Sequence, residues 1–328
     1  MVYRRVLLIA AGGSCVSVPG RGDAQQTGRL ARIGWIGWSG AAVGQMATVP
    51  LDALRAGLQQ RGWKEGVDLT IAVRAGDRTQ ARQLATELVA AKVDVIVAQG
   101  PMVFGARVPG DPTPLVFAIN GDPVEAGLVV SLARPGANIT GITALTLPLA
   151  GKRLELLTEI RPGLSRVVVI ANAVHPGVLS ELRETRSAAA TLGLTLQYVP
   201  VTSVGDFPAA FDAIAGGGAQ ALVAFPDTLI NAQARAIAEF AAARRLPAIS
   251  GWAEFTEAGN LMSYGPNLRD FYAHLAGHVD RLLKGVKPAD LPVEQPTRFE
   301  LVINLKTART LGLAIPQALL LRAEKLIQ

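Results

Sequence analysis

The sequence contains only one cysteine among its 328 residues, Cys15, which lies close to the N-terminus. A fold held together by disulfides is therefore excluded, and stability has to come from a hydrophobic core. Beyond the N-terminal segment, no apolar run approaches the roughly 20 residues that a membrane-spanning helix needs. Dense basic runs with interleaved aromatic residues are also missing, so the formal net charge of +6 does not indicate a nucleic-acid-binding surface.

The composition that remains is typical of a packed globular chain. Hydrophobic residues make up 50% of the sequence and charged residues 18%. At this length the chain is sufficient for two domains, each with its own core.

The N-terminus has the pattern of an export signal. Arg4 and Arg5 precede an apolar segment, and a small-x-small cleavage site ends at Ala24. We predict cleavage after Ala24, with residues 1–24 removed and the mature protein in the periplasm. Both the Sec and the twin-arginine route stay open. Cys15 is not expected to carry a lipid, because Gly12 stands where a lipid-attachment site has an aliphatic residue.

Short apolar runs alternate with amphipathic helical patterns along the rest of the chain. The predicted strands are 33–36, 69–73, 93–98, 115–119, 167–170, 194–201, 221–225 and 248–250. Most are apolar throughout, as strands covered on both faces require. The β-α-β-α order predicts an α/β fold with parallel sheets. Because two sets of four strands share a similar spacing, we expect two doubly wound lobes joined near residues 138–142.

Several segments carry a family resemblance. The most specific are 121–141, which begins Gly-Asp-Pro-Val, and 291–306, while 264–268 reads Tyr-Gly-Pro-Asn-Leu. These segments resemble the solute-binding proteins of ABC importers, in particular the tryptophan/tyrosine-type branch, and the resemblance extends from about Ile33 to the C-terminus. It implies the type I periplasmic-binding-protein fold. It also implies a secreted two-lobed receptor that closes on a small molecule and delivers it to an ABC permease and its ATPase subunits.

The resemblance further implies a three-segment hinge between the lobes. The expected lobe 1 comprises residues 29–140 and 256–290, and the expected lobe 2 comprises residues 141–255 and 291–328. The strand predicted at 261–264 and the long helix predicted at 267–284 are thereby assigned to lobe 1. We expect a monomer without a cofactor, which has no nucleic-acid partner and meets the membrane only through the permease.

Ligands of open parallel sheets bind at the carboxyl ends of the strands, so the polar and aromatic residues that follow each strand are candidates. They are Trp38, Ser39, Gln99, Asn120, Asp122, Asn172, Asp227, Thr228, Trp252 and Tyr264. Aromatic rings mixed with amide, hydroxyl and carboxylate groups suit an amino acid, an aromatic compound or a related molecule with a polar head. The same residue types also favour turns and helix caps, which is the structural alternative. Asp122 has additional support because it belongs to the Gly-Asp-Pro-Val motif.

One candidate binding loop differs from the family pattern. Residues 99–114 contain three glycines and four prolines where relatives have a helix before the next strand. Glycine and proline at this density are incompatible with a long helix. We therefore expect an irregular connection at this place.

Catalytic patterns are weak by comparison. Glycines at 34–44 lack the spacing of a dinucleotide-binding turn, and the segment 57–63 has tryptophan where a phosphate loop needs lysine. His274 and His278 have the i, i+4 spacing of a metal pair, but no third ligand accompanies them. His175 is not associated with a nucleophile-elbow motif.

We expect a binding protein and not an enzyme. The alternatives are an NAD(P)-linked or other small-molecule enzyme on a doubly wound fold and a sensory ligand-binding module.

Overall fold

A computed structural model describes residues 29–38, 49–144 and 147–328 of the chain. These residues form two sheets with helices on both faces, which confirms the predicted α/β class and its two lobes. The proposed export signal, Cys15 and Ser39 lie outside the described residues.

The first sheet is parallel and has the strand order β2-β1-β3-β4-β5. Its strands are β1 (Ala31–Trp38), β2 (Leu69–Gly76), β3 (Val95–Gln99), β4 (Leu115–Ile119) and β5 (Ile139–Thr143). Three helices accompany them, α1 (Val49–Gln60), α2 (Ala81–Ala90) and α3 (Val103–Ala106). Strands β3, β4 and β5 are buried at every position, and the apolar sequence of β4 and all of β3 except Gln99 match that burial.

The second sheet has the order β12-β11-β10-β9-β8-β6-β7. Its first part contains β6 (Arg166–Asn172), β7 (Thr195–Val201), β8 (Ala221–Ala224), β9 (Ala248–Ser250) and β10 (Met262–Gly265). The helices between these strands are α4 (Leu147–Ile160), α5 (Val178–Thr191), α6 (Phe207–Gly216), α7 (Thr228–Ala232), α8 (Ala234–Ala243) and α9 (Ala253–Glu257).

After β10 the chain crosses back and forms α10 (Leu268–Leu283), which packs against α1 and the first sheet. It then returns to the second sheet as β11 (Glu300–Asn304), α11 (Leu305–Leu311), α12 (Gln317–Arg322) and β12 (Lys325–Ile327). Strand β11 runs antiparallel to β10, so the second sheet is mixed. We call the first sheet with α1–α3 and α10 lobe 1, and the second sheet with its helices lobe 2.

The expected lobe boundaries need two corrections. Strand β10 is bonded to β9 and β11 and therefore lies in lobe 2, although residues 256–290 were assigned to lobe 1. Conversely, the segment 291–294 lies along β5 of lobe 1, although it was assigned to lobe 2. There Thr140 donates to the Leu291 carbonyl at 2.8 Å, and Thr143 donates its N–H to the Glu294 carbonyl at 3.0 Å. The backbone groups at the edge of a sheet can bond to a further segment of the chain. The segment 291–294 bonds to β5 in this way, and β10 bonds to β9.

His278 of α10 contacts the segment 291–294 that leads the chain back to lobe 2. It is buried, and its Nε2 lies 3.0 Å from the Pro292 carbonyl, while His274, one turn earlier on the same helix, is exposed. Burial lowers the pKa of His278. Among the described residues, no group of three or more potential metal ligands occurs, and no helix has both the length and the apolar character needed to span a bilayer.

Candidate functional site

A cavity lies between the lobes at the carboxyl ends of their strands, where the topology predicts a ligand. Lobe 1 contributes residues that follow β3, β4 and β5 and the first turn of α10; lobe 2 contributes residues that follow β6, β8 and β9. The lining is Gln99, Gly100, Ala118, Ile119, Asn120, Ala144, His175, Asp227, Thr228, Trp252, Leu268, Phe271 and Tyr272. Five predicted residues are thereby brought together: Gln99, Asn120, Asp227, Thr228 and Trp252.

Aromatic side chains form one wall of the cavity. Tyr272 and Phe271 lie edge to face with ring centroids 5.4 Å apart, and the Tyr272 ring also contacts Trp35, 6.0 Å away. Trp252 comes from lobe 2, yet its side chain packs against the hydrophobic core of lobe 1. Flat rings at this position offer a large contact area to an apolar or aromatic molecule.

Polar groups of lobe 1 stand beside this wall. The Gln99 side chain forms a hydrogen bond with the Tyr272 hydroxyl. Burial raises the pKa of Tyr272 above its usual range despite that bond, so the phenol stays neutral. Asn120, 7% exposed, donates from Nδ2 to the Pro226 carbonyl of lobe 2 at 2.9 Å.

Lobe 2 contributes a buried carboxylate, Asp227. It is 4% exposed and lies at the start of α7, where Oδ1 accepts from the Leu229 N–H at 2.7 Å and from Asn172 Nδ2 at 3.1 Å. Helix α7 begins here because Asp is a favoured N-cap residue. Thr228 follows directly and also lines the cavity.

His175 is the second titratable group that lobe 2 contributes to the lining. Its Nδ1 accepts a hydrogen bond from the Gly177 N–H at 3.1 Å, so the proton of the neutral ring is on Nε2. Burial lowers the pKa of His175, an effect that the Asp227 carboxylate opposes. The ring is therefore neutral at physiological pH.

A buried ion pair lies behind the lobe 2 wall. Arg153 of α4 is fully buried and donates to Glu181 of α5 at 2.8 Å and to the Tyr264 carbonyl at 3.0 Å. Burial raises the pKa of Glu181 to about 7, although the Arg153 charge and hydrogen bonds from Arg153 and Asn120 act in the opposite direction. Because Asn120 belongs to lobe 1, this network connects the interior of lobe 2 to the cavity and to the other lobe.

The two lobes touch around the cavity. Besides the Asn120 contact, Glu125 of lobe 1 accepts a hydrogen bond from Ser180 of α5 and lies 3.6 Å from Arg183. The backbones meet at Gly121 and Gly177, where a Cβ on Gly121 would come within 2.9 Å of the Gly177 Cα. The cavity has a volume of about 20 Å³ in this arrangement. An organic ligand therefore requires the lobes or the lining side chains to move apart before it enters.

Four predicted site residues are described but do not line the cavity. Trp38 packs against the cores of both lobes. Asp122 accepts from the N–H groups of Val124 and Glu125 at 2.8 and 3.3 Å, which is the turn-capping role given above as the alternative. Asn172 holds Asp227, and Tyr264 packs against the lobe 2 core.

Sequence reasoning missed His175, Phe271 and Tyr272. His175 follows β6 by three residues and satisfies the same strand-end rule that selected Asn172. Phe271 and Tyr272 belong to the long helix predicted at 267–284, and that rule selects only residues that directly follow a strand. A signal was present, because the first turn of an inward-facing helix that enters at the hinge lies beside the cleft.

Two doubly wound lobes, three connections and a mixed aromatic and polar cavity between the lobes define the class of two-lobed solute-binding proteins. A model of the family described as "ABC transporter substrate binding protein" matches residues 47–327. The chain belongs to this family, which accounts for its type I periplasmic-binding-protein fold. It is an extracytoplasmic receptor for a small-molecule solute and works with an ABC permease.

Individual relatives agree with this assignment. A tyrosine-binding protein of Clostridioides difficile is 25% identical over 260 residues, 78% of this chain and 74% of the relative. A Streptococcus pneumoniae ABC domain solved with L-tryptophan has a TM-score of 0.82 and 24% identity, covering 90% of this chain and 99% of its own. A conserved domain protein of Vibrio cholerae reaches a TM-score of 0.83 at 26% identity, covering 91% and 100%.

Proposed function

We propose that this receptor binds an aromatic amino acid, tyrosine or tryptophan, in the cavity between the lobes. The observation that carries the proposal is the convergence of Trp252, Phe271 and Tyr272 with the buried carboxylate of Asp227. Aromatic rings supply contact area for a ligand side chain, and a desolvated carboxylate pairs with an ammonium group. The names of the relatives, one tyrosine-binding and one solved with tryptophan, support the same ligand class.

Within this proposal Asp227, and not the candidate Asp122, pairs with the ligand ammonium. Asp227 lines the cavity and is nearly buried, whereas Asp122 is committed to a turn. Asn172 supports Asp227 from behind, and Thr228 and Gln99 offer hydroxyl and amide groups to the ligand carboxylate. The ring of the ligand would then contact Trp252.

Calorimetry against tyrosine, tryptophan, phenylalanine and leucine tests the ligand class on protein that has been unfolded and refolded to remove bound solute. We expect the aromatic amino acids to bind and leucine to bind far more weakly. Trp252→Ala should weaken binding about 30-fold, corresponding to about 2 kcal/mol for a buried aromatic contact.

A matched control is available in Trp63, whose indole donates to Asp280 at 2.9 Å on α10 of lobe 1, outside the cavity lining. Trp63→Ala should leave the affinity unchanged. No binding of any aromatic amino acid at millimolar concentration, or equal affinity in both tryptophan variants, would show that the ligand class or the pocket is wrong.

Two ligand analogues test the role of Asp227. Tyramine keeps the ammonium group and lacks the carboxylate, and 4-hydroxyphenylpropionate has the reverse pattern. We expect Asp227→Asn to weaken tyrosine and tyramine binding by about 2 to 5 kcal/mol, which is the cost of removing one partner of a buried charge pair. The propionate should bind no worse to the variant than to the wild type. Equal losses for all three would indicate that Asp227 acts only through the start of α7.

We propose further that the mature protein is a periplasmic monomer released by cleavage after Ala24. The support is the basic and apolar N-terminal pattern of the sequence. N-terminal sequencing of native protein should start at Gln25, and light scattering should give the mass of one chain. Recovery of intact Met1 from the cytosol would contradict the export proposal.

A further inference from the structure

A second concavity lies on lobe 1, away from the cleft between the lobes. Its volume is about 480 Å³, within the range of about 300 to 1,000 Å³ typical of small-molecule sites. Val103, Phe104, Val108, Leu128 and Ile139 give it an apolar lining. We call this feature the lobe 1 groove; it has no residue in common with the cleft lining.

The groove originates in the unusual connection between β3 and β4. A parallel crossover usually carries a helix of ten or more residues that covers one face of the sheet. Here α3 has four residues, and the chain continues as an irregular segment through Pro109 and Gly110 to β4. The short helix leaves part of the layer unfilled, and the apolar residues that a full helix would have covered line the gap.

Arginines surround the groove without acidic partners. Arg82 and Arg107 belong to the lining, and the guanidinium of Arg78 lies 5.8 Å from the centre of the Phe104 ring. Arg82 donates from Nε to the Gly105 carbonyl at 3.1 Å, and this bond does not use its two terminal nitrogens. Throughout the described ranges, none of these three arginines forms an ion pair.

The acidic residue of the groove does not neutralise them. Asp111 lines the groove, and its Oδ1 accepts a hydrogen bond from the Thr113 N–H at 2.8 Å. Three guanidinium groups against one carboxylate give the groove an excess positive charge beside an apolar floor. Guanidinium groups match carboxylate, sulfonate and phosphate oxygens in geometry as well as in charge.

We propose that the lobe 1 groove is a second ligand site, which binds a small organic anion with an apolar body. The anionic group would lie between Arg82 and Arg107, and the apolar body would lie against Phe104, Leu128 and Ile139. The site is independent of the cleft, because the two sets of lining residues do not overlap.

Two dyes test the charge and the apolar requirement separately. The probe 8-anilinonaphthalene-1-sulfonate carries an aromatic body and an anionic group, whereas Nile red is apolar and neutral. Fluorescence titration should give saturable binding of the sulfonate to the wild type. The double variant Arg82→Ala/Arg107→Ala should bind it about tenfold more weakly, as expected for the loss of charge-assisted hydrogen bonds at a partly exposed site. Its Nile red binding should change by less than about twofold.

Two further variants decide whether the effect is local. Arg244→Ala/Arg309→Ala removes the same charge from exposed positions of lobe 2 and should leave sulfonate binding unchanged. Ala126→Phe fills the groove without altering an arginine and should abolish binding of both dyes. Circular dichroism and the melting temperature confirm that each variant is folded.

Equal sulfonate affinity in the two double arginine variants would overturn the proposal, as would unchanged binding in Ala126→Phe. Displacement of the sulfonate by saturating tyrosine would also overturn it, since the dye would then occupy the cleft. The comparison of variants is independent of the cleft ligand. A failure here therefore leaves the proposed aromatic amino acid receptor untouched, and a failure of that receptor leaves this test valid.

Discussion

Asn120 offers the most direct test of the contacts that hold the two lobes together around the cavity, an arrangement that we call the closed form. Its side chain belongs to lobe 1 and contacts two groups of lobe 2, the Pro226 carbonyl at 2.9 Å and the Glu181 carboxyl. Both bonds require the lobes to be in contact. Asn120→Ala removes them without adding bulk or charge, and neither bond exists when the lobes are apart. The substitution is therefore expected to destabilise the closed form selectively.

The size of the effect follows from the two bonds. Loss of a neutral hydrogen bond at a buried carbonyl costs about 1 kcal/mol, and loss of a bond to a carboxyl group about 1.5 to 3 kcal/mol. The sum of about 2.5 to 4 kcal/mol corresponds to an apparent affinity that is about 70-fold to 1,000-fold weaker when the open form dominates before the ligand binds. Because the pKa of Glu181 is raised to about 7, the carboxyl is only partly ionised at neutral pH, and the lower half of this interval is expected.

Calorimetry with the cleft ligand and small-angle scattering with and without it measure the two consequences. We expect the saturated wild type to be more compact than the free protein, and Asn120→Ala to need far more ligand to reach that state. Asn260→Ala is a matched control, since Asn260 also donates to two carbonyls, of Ala234 and Phe255, but entirely within lobe 2. It should lower stability and leave affinity unchanged. Wild-type affinity in Asn120→Ala would refute the reasoning that these contacts hold the lobes together.

Three other predictions concern the buried pair and the rim of the cleft. Arg153→Met leaves Glu181 buried without its partner and should lower the free energy of unfolding by about 3 to 5 kcal/mol in urea titrations; a loss below about 1 kcal/mol would contradict it. The pKa of Glu181 is about 7 in the folded protein and near 4.5 in the unfolded chain, so the native state binds the proton more tightly. The free energy of unfolding of the wild type should therefore fall by at most about 3 kcal/mol between pH 5 and 8, relative to that of Glu181→Gln. Parallel pH profiles of the two proteins would contradict this. Glu125→Ala removes the contacts to Ser180 and Arg183 at the exposed rim and should accelerate ligand release in stopped-flow measurements by about fivefold, for about 1 kcal/mol; an unchanged rate would show that the rim contact does not hold the closed form.

Most strands could be predicted because they are buried on both faces. The predicted 115–119 coincides with β4, and 248–250 coincides with β9, since uninterrupted apolar runs have few alternatives in a doubly wound fold. Strand β5 was missed and interpreted as part of the connection between the lobes. Its centre is Gly141, which β4 requires, because a Cβ at that position would lie 2.2 Å from the Phe117 carbonyl oxygen. A glycine in so short a run resembles a turn until the neighbouring strand is known.

The position of β10 could not be obtained from the sequence. Residues 261–264 have the pattern of a strand. The sheet that this strand joins depends on which strand edge is unpaired after β9, and the amino-acid composition does not show that. The last strand, β12, consists of three residues after a leucine-rich helix and has no periodicity of its own. The case of β10 shows that element type can be a local property while the choice of partner strand depends on the whole fold, and in β12 the element type itself depends on the fold.

The site residues divide in the same way. Gln99, Asn120, Asp227, Thr228 and Trp252 line the cavity because the strand-end rule depends only on topology. Asp122 satisfies the same rule but is not part of the lining, since its carboxylate is used by two N–H groups of its own turn. Tyr272 could not be found by that rule, because it lies within a helix and does not directly follow a strand.

The chemistry of the cleft is unequal on its two sides, and this inequality bears on how a ligand would be oriented. Phe271, Tyr272 and the neutral amide of Gln99 belong to lobe 1, whereas the carboxylate and the imidazole that line the cavity, Asp227 and His175, belong to lobe 2. The ammonium group of a zwitterionic ligand is stabilised beside the Asp227 carboxylate, so an aromatic amino acid should place its polar head against lobe 2. In that orientation the ring lies between Trp252 of lobe 2 and the aromatic residues Phe271 and Tyr272 of lobe 1, while Gln99 contacts the ligand carboxylate. Closure is then driven by apolar burial that a small aliphatic amino acid cannot match. The preference of the receptor for ligands with aromatic side chains would then arise when the lobes close, after the polar head of the ligand has already been bound.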